Sequence, residues 1–322
     1  MRKEDLPELE ALCHTIQTSG NGFSYAGRIY MPYNEQDTPL ALLTRALYTE
    51  CYIKNALKTT ENAGPVPGGE TTEQFIQRLS SANHSGEITD PGWTLQSILS
   101  PRLAQVSKYG VTRTMRTGPG FSAANGVSLS YRSQREDTES QPGFYYLLSN
   151  TFFEYTPPVA RVYWNTLPEG ALLLTDALSR ELNRYRLPFL FKCLSDPGAY
   201  RRRDSCVLYI GLRHLQQTGS LLGDIQKDLA PFMKNDTPLF TKAWQTGVSV
   251  CESPADANSF GMSRMQTVAR GLLNAFAAGD DPENYLRSVK NAFTSAGLNP
   301  ELPFLEAGSV ADNLLKIPVT YA

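Results

Sequence analysis

The sequence lacks the patterns that mark a metal site, a secretory signal or a membrane span. It has only three histidines, far apart, and no CxxC, HxxxH or HExxH spacing, so we predict no metal site. The N-terminus has no apolar stretch of the kind that a secretory signal needs. No window approaches the roughly 18 uninterrupted apolar residues of a membrane span. We therefore expect a cytoplasmic protein with no membrane partner.

Charge of one sign is not in excess either. The chain carries 30 Lys and Arg residues against 32 Asp and Glu residues, a formal net charge of -2. Binding of nucleic acid through bulk electrostatics needs a clustered excess of basic residues, so we predict no nucleic-acid partner. The five cysteines are widely spaced, odd in number and set among apolar neighbours, which favours buried reduced thiols over disulfides.

The sequence does contain a mixture of alternating and helical patterns that is typical of an α+β protein. Strand-like segments are separated by helices at irregular spacing, which disfavours a doubly wound parallel sheet. We predict a largely antiparallel sheet core with flanking helices and a helical N-terminal part. The predicted division is a mostly helical region over 1–90 and an α+β core over 91–322, unless the two form one continuous domain.

Hydrophobic periodicity and end signals place the individual elements. Helices are predicted over 6–18, 40–57, 75–81, 168–184, 215–233, 259–278 and 282–296, and strands over 23–30, 93–131, 159–165, 188–194, 205–210 and 248–251. Thr38 and Pro39 suit the N-cap and first position of a helix, and Gly279 suits a residue just past a helix end. The stretch 62–69, rich in Gly and Pro, predicts a loop.

Basic residues recur where predicted loops meet strand ends. These residues are Arg161, Lys192, Arg201, Arg202, Arg203, Lys242 and Arg264. If the strand ends converge, the side chains form an anion site, because the planar guanidinium fork suits phosphate. The alternative is that the three consecutive arginines form a solvated loop.

Lys192 is the most unusual of these residues because it lies within an apolar strand. In a strand it shares a face with Leu190 and Leu194, which would desolvate its ammonium group. Desolvation lowers the pKa of a lysine, as a lysine general base requires. The alternative is that Lys192 reaches the sheet edge and pairs with a carboxylate such as Asp204.

Ser259 begins a predicted helix after a polar loop and is a natural N-cap. The N–H groups of the first helical turn, together with Arg264, can hold an anion. Phosphate-binding loops of the GxxxxGK[ST] or GxGxxG type and a GxSxG nucleophile elbow are missing, which disfavours nucleotide binding and serine hydrolysis.

Four segments together resemble the HopA effector-like family. They are Arg161–Ala171, Pro188–Lys192 with Tyr200–Tyr209, Pro238–Lys242, and Ser259–Arg264. The resemblance covers residues 159–279 well and the N-terminal half more loosely. The family is named for a plant-pathogen type III secreted effector and includes stand-alone bacterial proteins of peptide natural-product gene clusters.

The resemblance implies a lyase that acts with a separate kinase-like protein. The kinase phosphorylates Ser or Thr of a ribosomal precursor peptide, and the lyase eliminates phosphate to leave dehydroalanine or dehydrobutyrine, as in class V lanthipeptide biosynthesis. No metal or organic cofactor is implied. The implied location is the bacterial cytoplasm, and the implied partners are the precursor peptide and the kinase.

The resemblance also implies roles for individual residues. Lys192 is the base, and Tyr200 donates a hydrogen bond to the substrate carbonyl or the leaving group. Asp204 and Glu252 orient basic groups. The phosphate and substrate ligands are Arg161, Arg203, Lys242, Ser259 and Arg264.

Two other functions fit the same resemblance. One is a non-catalytic effector that is secreted into a host cell by a type III system and binds a host protein. The other is a scaffold that helps the kinase hold the precursor peptide. Release of phosphate from a phosphopeptide separates the lyase from both.

Overall fold

The computed structural model describes residues 5–19, 22–25, 27–32, 37–53, 69–117, 121–153, 158–255, 258–309 and 314. The predicted loop over 62–69, apart from Gly69, and residues 54–57 of the second predicted helix lie outside these ranges. The helices are α1 Leu6–Thr15, α2 Pro39–Leu47, α3 Thr72–Ala82, α4 Pro168–Arg184, α5 Leu212–Leu229, α6 Phe260–Ala278 and α7 Pro282–Ser295. A π-helical turn, Tyr48–Tyr52, follows α2, and short 3-10 helices cover Pro197–Ala199 and Ala230–Phe232.

The strands form three antiparallel sheets. In chain order they are β1 Gln17–Ser19, β2 Gly22–Tyr25, β3 Arg28–Tyr30, β4 Ile88–Ser100, β5 Leu103–Lys108, β6 Val111–Arg116, β7 Ser128–Ser133, β8 Glu136–Asp137, β9 Phe144–Leu148, β10 Val159–Trp164, β11 Phe189–Leu194, β12 Cys206–Gly211, β13 Lys242–Gln245 and β14 Val248–Glu252. The central sheet has the order β13-β14-β10-β12-β11-β9-β8. A four-stranded sheet, β6-β5-β4-β7, and a three-stranded sheet, β1-β2-β3, lie beside it. The predicted α+β class with an antiparallel core is confirmed.

The central sheet is buried because helices pack against it. β10 is buried along its whole length, as its apolar sequence requires. Phe75 of α3 contacts Tyr200 edge-on, with ring centroids 5.7 Å apart. Tyr52 of the π-helical turn contacts Phe260 of α6 at 6.3 Å. Each such aromatic side chain stabilises the fold by about 1.5–3 kcal/mol when fully buried.

Several predicted helix ends agree with the structure. The Thr38 hydroxyl accepts a hydrogen bond from the Ala41 amide, and Pro39 is the first helical residue. Gly279 ends α6 with a φ of 69°, a left-handed conformation that favours glycine. Within the described part of the second predicted helix, α2 ends at Leu47 and the π-helical turn follows it.

The N-terminal helices pack onto the C-terminal ones, α1 against α7 and α2 against α6. The four-stranded sheet has a small apolar core of its own, made by Trp93, Leu95, Ala104, Val106 and Met115. The predicted boundary between residues 90 and 91 falls within β4. The division into two regions stays a prediction.

Within the described ranges, none of the helices has both the length and the apolarity that a membrane crossing requires.

Candidate active site

The strand register places four of the functional side chains on one face of the central sheet. Lys192 pairs with Tyr146 on β9 and with Val207 on β12. Arg161 on β10 pairs with Tyr209 on β12. Paired residues of an antiparallel sheet share a face, and so do residues two apart along one strand. Lys192, Tyr146, Tyr209 and Arg161 therefore project from the same side.

The Lys192 amine lies among aromatic rings. Its Nζ is 4.4 Å from the centroid of Phe144 and 5.9 Å from those of Tyr146 and Tyr209. Burial lowers the pKa of Lys192; Arg161 and Arg202 lower it further, and Tyr146 and Asp204 act in the opposite direction. This agrees with the predicted desolvation of Lys192. Its role as a base stays a prediction.

The turn 141–144 supplies two of the groups around this amine. The Phe144 amide donates to the Gln141 carbonyl at 3.2 Å, and Gly143 has a φ of 85°. Proline at the second position and a glycine with positive φ at the third fit a type II turn. The Gln141 side-chain oxygen accepts hydrogen bonds from Lys192 Nζ at 3.5 Å and from the Tyr146 hydroxyl. The turn therefore places an amide and a ring beside Lys192.

Arg202 is the second cation at this place. Its Cζ is 5.6 Å from the centroid of Phe144, the ring that Lys192 also contacts. Asp204 accepts from Arg202 Nε at 2.8 Å and from Nη2 at 2.9 Å, and the Tyr48 hydroxyl accepts from Nη2 at 3.3 Å. Burial alone would lower the pKa of Arg202, but the Asp204 carboxylate more than offsets this and the guanidinium stays charged.

A cleft of about 420 Å³ opens beside these two cations. Its lining residues are Pro142, Gly143, Phe144, Leu194, Asp196, Gly198, Ala199, Arg201 and Arg202. Phe144 and Arg202 thus belong both to the cleft and to the surroundings of Lys192. The lining combines apolar side chains with two guanidinium groups, Arg201 and Arg202, and one carboxylate, Asp196, and the two arginines suit a peptide that carries an anionic group.

Arg161 is buried on this same face of the sheet. Its Nε donates to the Ser253 hydroxyl at 2.9 Å, and its Nη2 donates to the Asn258 carbonyl at 3.5 Å. Its Cζ lies 5.2 Å from the centroid of Tyr209. Arg161 therefore adds positive charge near Lys192 and ties β10 to the start of α6. Its direct contact with a phosphate stays a prediction.

The HopA1 effector protein family matches residues 136–305, more than half of the chain. The chain belongs to the HopA1 effector protein family. The matched range of this HopA1-family protein runs from β8 to the segment after α7 and includes Lys192, Arg202 and the cleft. The family resemblance drawn from the sequence is confirmed.

Two solved structures resemble this HopA1-family protein over most of its length. An effector protein from Pseudomonas syringae pv. tomato strain DC3000 is 14% identical, with 85% of this chain and 92% of that chain covered and a TM-score of 0.49. An effector protein from Pseudomonas syringae pv. syringae strain 61 is 15% identical, with 84% and 91% covered and a TM-score of 0.48. No curated protein matches the chain.

Tyr200 lies away from the Lys192 amine, and its predicted role as a donor stays a prediction. Its hydroxyl donates to the Leu194 carbonyl at 2.8 Å and lies beside the thiols of Cys193 and Cys206. Cys193 follows Lys192 in β11, so its side chain is on the opposite face of the sheet. These contacts place the Tyr200 hydroxyl on the face opposite Lys192.

Arg203 is also placed elsewhere, although it follows Arg202 directly. Its guanidinium pairs with Glu8 of α1 at 3.1 Å and Asp236 at 3.4 Å, and donates to the Cys51 carbonyl. These bonds join α1 and the π-helical turn to the loop before β12. Arg202 therefore lines the cleft, whereas Arg203 is bonded to other parts of the chain, and its predicted role as a phosphate ligand stays a prediction.

Arg264 and Glu252 hold the segment 303–309 instead of an anion site. Arg264 is fully buried and donates to the carbonyls of Pro303 at 2.7 Å and Leu305 at 2.9 Å, and it pairs with Glu306 at 2.7 Å. Glu252 accepts from the Glu306 amide at 2.8 Å and from a serine hydroxyl of the same segment. The structure therefore shows both side chains bonded to this segment, and their predicted ligand and orienting roles stay predictions.

Lys242 lies on the other face of the central sheet from Lys192. It pairs with Val250, which pairs with Val162, the residue that follows Arg161 in β10. Its Nζ donates to the Leu314 carbonyl at 2.6 Å, and burial lowers its pKa. The structure therefore does not bring Lys242 to the candidate site.

Asp204 and Ser259 are the remaining predicted site residues. Asp204 pairs with a basic group, Arg202, at 2.8 Å, and its predicted role in the reaction stays a prediction. Ser259 is the N-cap of α6, because its hydroxyl accepts from the Met262 amide at 3.2 Å, and its anion-binding role stays a prediction.

Cysteines and metal ligands do not add to the site. The five cysteines are all buried and free, as predicted. In the part of the chain that the structure describes, no three His, Cys, Asp or Glu side chains are grouped to hold a metal ion.

Proposed function

We propose that this protein is a phosphoserine and phosphothreonine lyase. It eliminates phosphate from a kinase-phosphorylated ribosomal precursor peptide and leaves dehydroalanine or dehydrobutyrine. The observation that carries the proposal is the placement of Lys192 and Arg202 against the same ring, Phe144, at the edge of the cleft. A base and an anion-binding donor are thus adjacent, as a β-elimination requires.

In the proposed step the neutral amine of Lys192 removes the Cα proton of the phosphorylated residue. The electron pair of that C–H bond forms the Cα–Cβ double bond, and the Cβ–O bond breaks with its electrons moving to the phosphate oxygen. A phosphate ester that starts as the monoanion leaves as hydrogen phosphate, so Lys192 ends as the ammonium and no further acid is needed. Phosphate has a second pKa near about 6 and is a good leaving group at neutral pH.

The neighbouring groups support this step in different ways. Arg202 provides Nη1, which bonds no group among the described residues, as a donor for phosphate oxygens. Burial lowers the pKa of Lys192, Tyr146 and Asp204 act against this, and Arg161 and Arg202 lower it further; the lowered pKa favours the neutral amine that the step needs. The side-chain amide of Gln141 takes the place proposed for Tyr200 as the donor to the substrate carbonyl as negative charge develops there. The step uses proton transfer and charge stabilisation, so the proposal includes no cofactor.

The precursor peptide, the separate kinase-like protein and the bacterial cytoplasm are the partners and location that the family resemblance implies. We propose them together with the lyase activity, because a lyase of this kind needs a phosphorylated peptide from another enzyme.

The test is incubation of the protein with a phosphothreonine peptide. We expect the peptide to lose the mass of phosphoric acid and free phosphate to appear in the solution. Lys192→Ala should abolish both changes. Lys242→Ala is the matched control, because Lys242 is also a strand lysine whose pKa is lowered by burial but lies on the other face. Full activity of Lys192→Ala would contradict the proposal.

The second candidate function is binding without turnover, which the name of the family favours. In that case the chain is an effector for a host protein or a scaffold for the kinase. A protein that binds the precursor peptide and never releases phosphate, even with the kinase present, would support it.

A further inference from the structure

We propose that Tyr48 positions Arg202 for the departing phosphate, so that the N-terminal part of the chain completes the active site. The inference rests on the proposed function, since it assigns Arg202 to the phosphate. Tyr48 lies outside residues 136–305, the range that the family matches. The inference therefore assigns a role to a part of the chain that the family match does not include.

The hydrogen bonds of Arg202 carry the proposal. Asp204 accepts from Nε and Nη2 on one edge of the guanidinium, at 2.8 and 2.9 Å, and Tyr48 accepts from Nη2 at 3.3 Å. Three bonds from two directions fix the plane of the group. Nη1 is left without a partner within the described residues, and Arg202 lines the cleft. Nη1 is thus the donor that this arrangement offers to an anion.

The position of Tyr48 is itself fixed by packing. Tyr48 begins the π-helical turn after α2, and single π-helical turns are frequent at functional sites. Its ring stacks on that of Tyr52 at 5.6 Å with an interplanar angle of 16°. Both rings lie against Gly261 in the first turn of α6. A Cβ at Gly261 would be 2.4 Å from Tyr52 Cε1 and 2.8 Å from Tyr48 Cε2, so only glycine allows this stacking.

Tyr52 provides a matched comparison for Tyr48. It has the same ring type on the same turn, but its hydroxyl lies beside Tyr163 and does not bond Arg202. Burial raises the pKa of both hydroxyls, so both stay protonated and neither adds a charge. Removal of one hydroxyl at a time therefore separates the contact with Arg202 from the packing of the two rings.

The experiment measures the affinity of the full chain for inorganic phosphate and for a phosphothreonine peptide by isothermal titration calorimetry. Tyr48→Phe should weaken both affinities roughly threefold to tenfold, because one hydrogen bond to a charged group is lost. Tyr52→Phe should leave them within about twofold of the wild type. In an Arg202→Gln background, Tyr48→Phe should have no further effect, since a residue that acts through Arg202 has nothing left to position.

Gly261→Ala is a second variant, which should displace both rings and weaken phosphate binding at least as much as Tyr48→Phe. Circular dichroism checks the fold of each variant. Equal affinities of Tyr48→Phe and Tyr52→Phe, or an effect of Tyr48→Phe that persists in the Arg202→Gln background, would overturn the inference. Phosphate binding without phosphate release by the wild type contradicts the lyase alone, whereas a wild type that binds neither probe contradicts both proposals.

Discussion

Two neighbouring arginines should respond in opposite ways to the same substitution. Arg202 lines the cleft and pairs with Asp204, and the two side chains are 19% and 10% exposed. Arg203 is 7% exposed and pairs with Glu8 and Asp236, which are 27% and 58% exposed. Arg202→Gln should therefore affect phosphate, and Arg203→Gln should affect stability.

The expected sizes follow from these contacts. A hydrogen bond to a charged group is worth about 1.5–3 kcal/mol, so Arg202→Gln should weaken phosphate binding roughly 10-fold to 150-fold. Removal of one partner from a fully buried ion pair costs about 3–5 kcal/mol. Because the carboxylates that pair with Arg203 are partly exposed, we expect Arg203→Gln to lower the free energy of unfolding by about 2–3 kcal/mol.

The assays are calorimetric titration with inorganic phosphate and urea unfolding followed by circular dichroism. Arg203→Gln should bind phosphate within about twofold of the wild type once it is folded. The reasoning is refuted if Arg203→Gln keeps its stability and loses phosphate binding while Arg202→Gln binds like the wild type.

Three other substitutions test the placement of predicted site residues. Arg264→Met should lower the free energy of unfolding in urea by about 3–5 kcal/mol, because buried carbonyls lose their donor, and stability equal to the wild type would contradict this. Arg161→Gln removes a charge that lowers the pKa of Lys192, so this pKa should rise. The acid limb of the pH profile of phosphate release should then move to higher pH, and an unchanged profile would contradict this. Tyr200→Phe should cost about 1 kcal/mol of stability and keep phosphate release, since its hydroxyl bonds the Leu194 carbonyl and lies beside the Cys193 and Cys206 thiols, away from Lys192; loss of release would refute this.

The local part of the fold could be predicted from the sequence. The apolar run of β10 and the alternation of β11 contain their own strand signals, and Gly279 ends α6 as its chemistry requires. The position of Lys192 between Leu190 and Leu194 was sufficient to predict its desolvation, because side chains two apart in a strand share a face. Such features depend on neighbours in sequence and are readable without a structure.

The partners of loop side chains could not be predicted in the same way. Three consecutive arginines give no basis to choose Arg202 over Arg203, because the choice depends on Tyr48 and Glu8, which are distant in sequence. Arg264 follows a polar loop in the sequence, which favours an anion site. In the structure, backbone carbonyls of the segment 303–309 accept its hydrogen bonds instead. Side-chain direction in loops is set by tertiary contacts, so the sequence alone did not show which of the basic residues lie near Lys192.

The most direct test of the account uses a phosphothreonine peptide that carries deuterium at Cα. Elimination breaks the Cα–D bond, so the product should lose both the deuterium and the phosphate, and mass spectrometry should show this with the wild type and not with Lys192→Ala. A product that keeps its deuterium and has lost only the phosphoryl group would show hydrolysis instead of elimination. That result, or an unchanged peptide with the wild type, would contradict Lys192 as the base of a lyase.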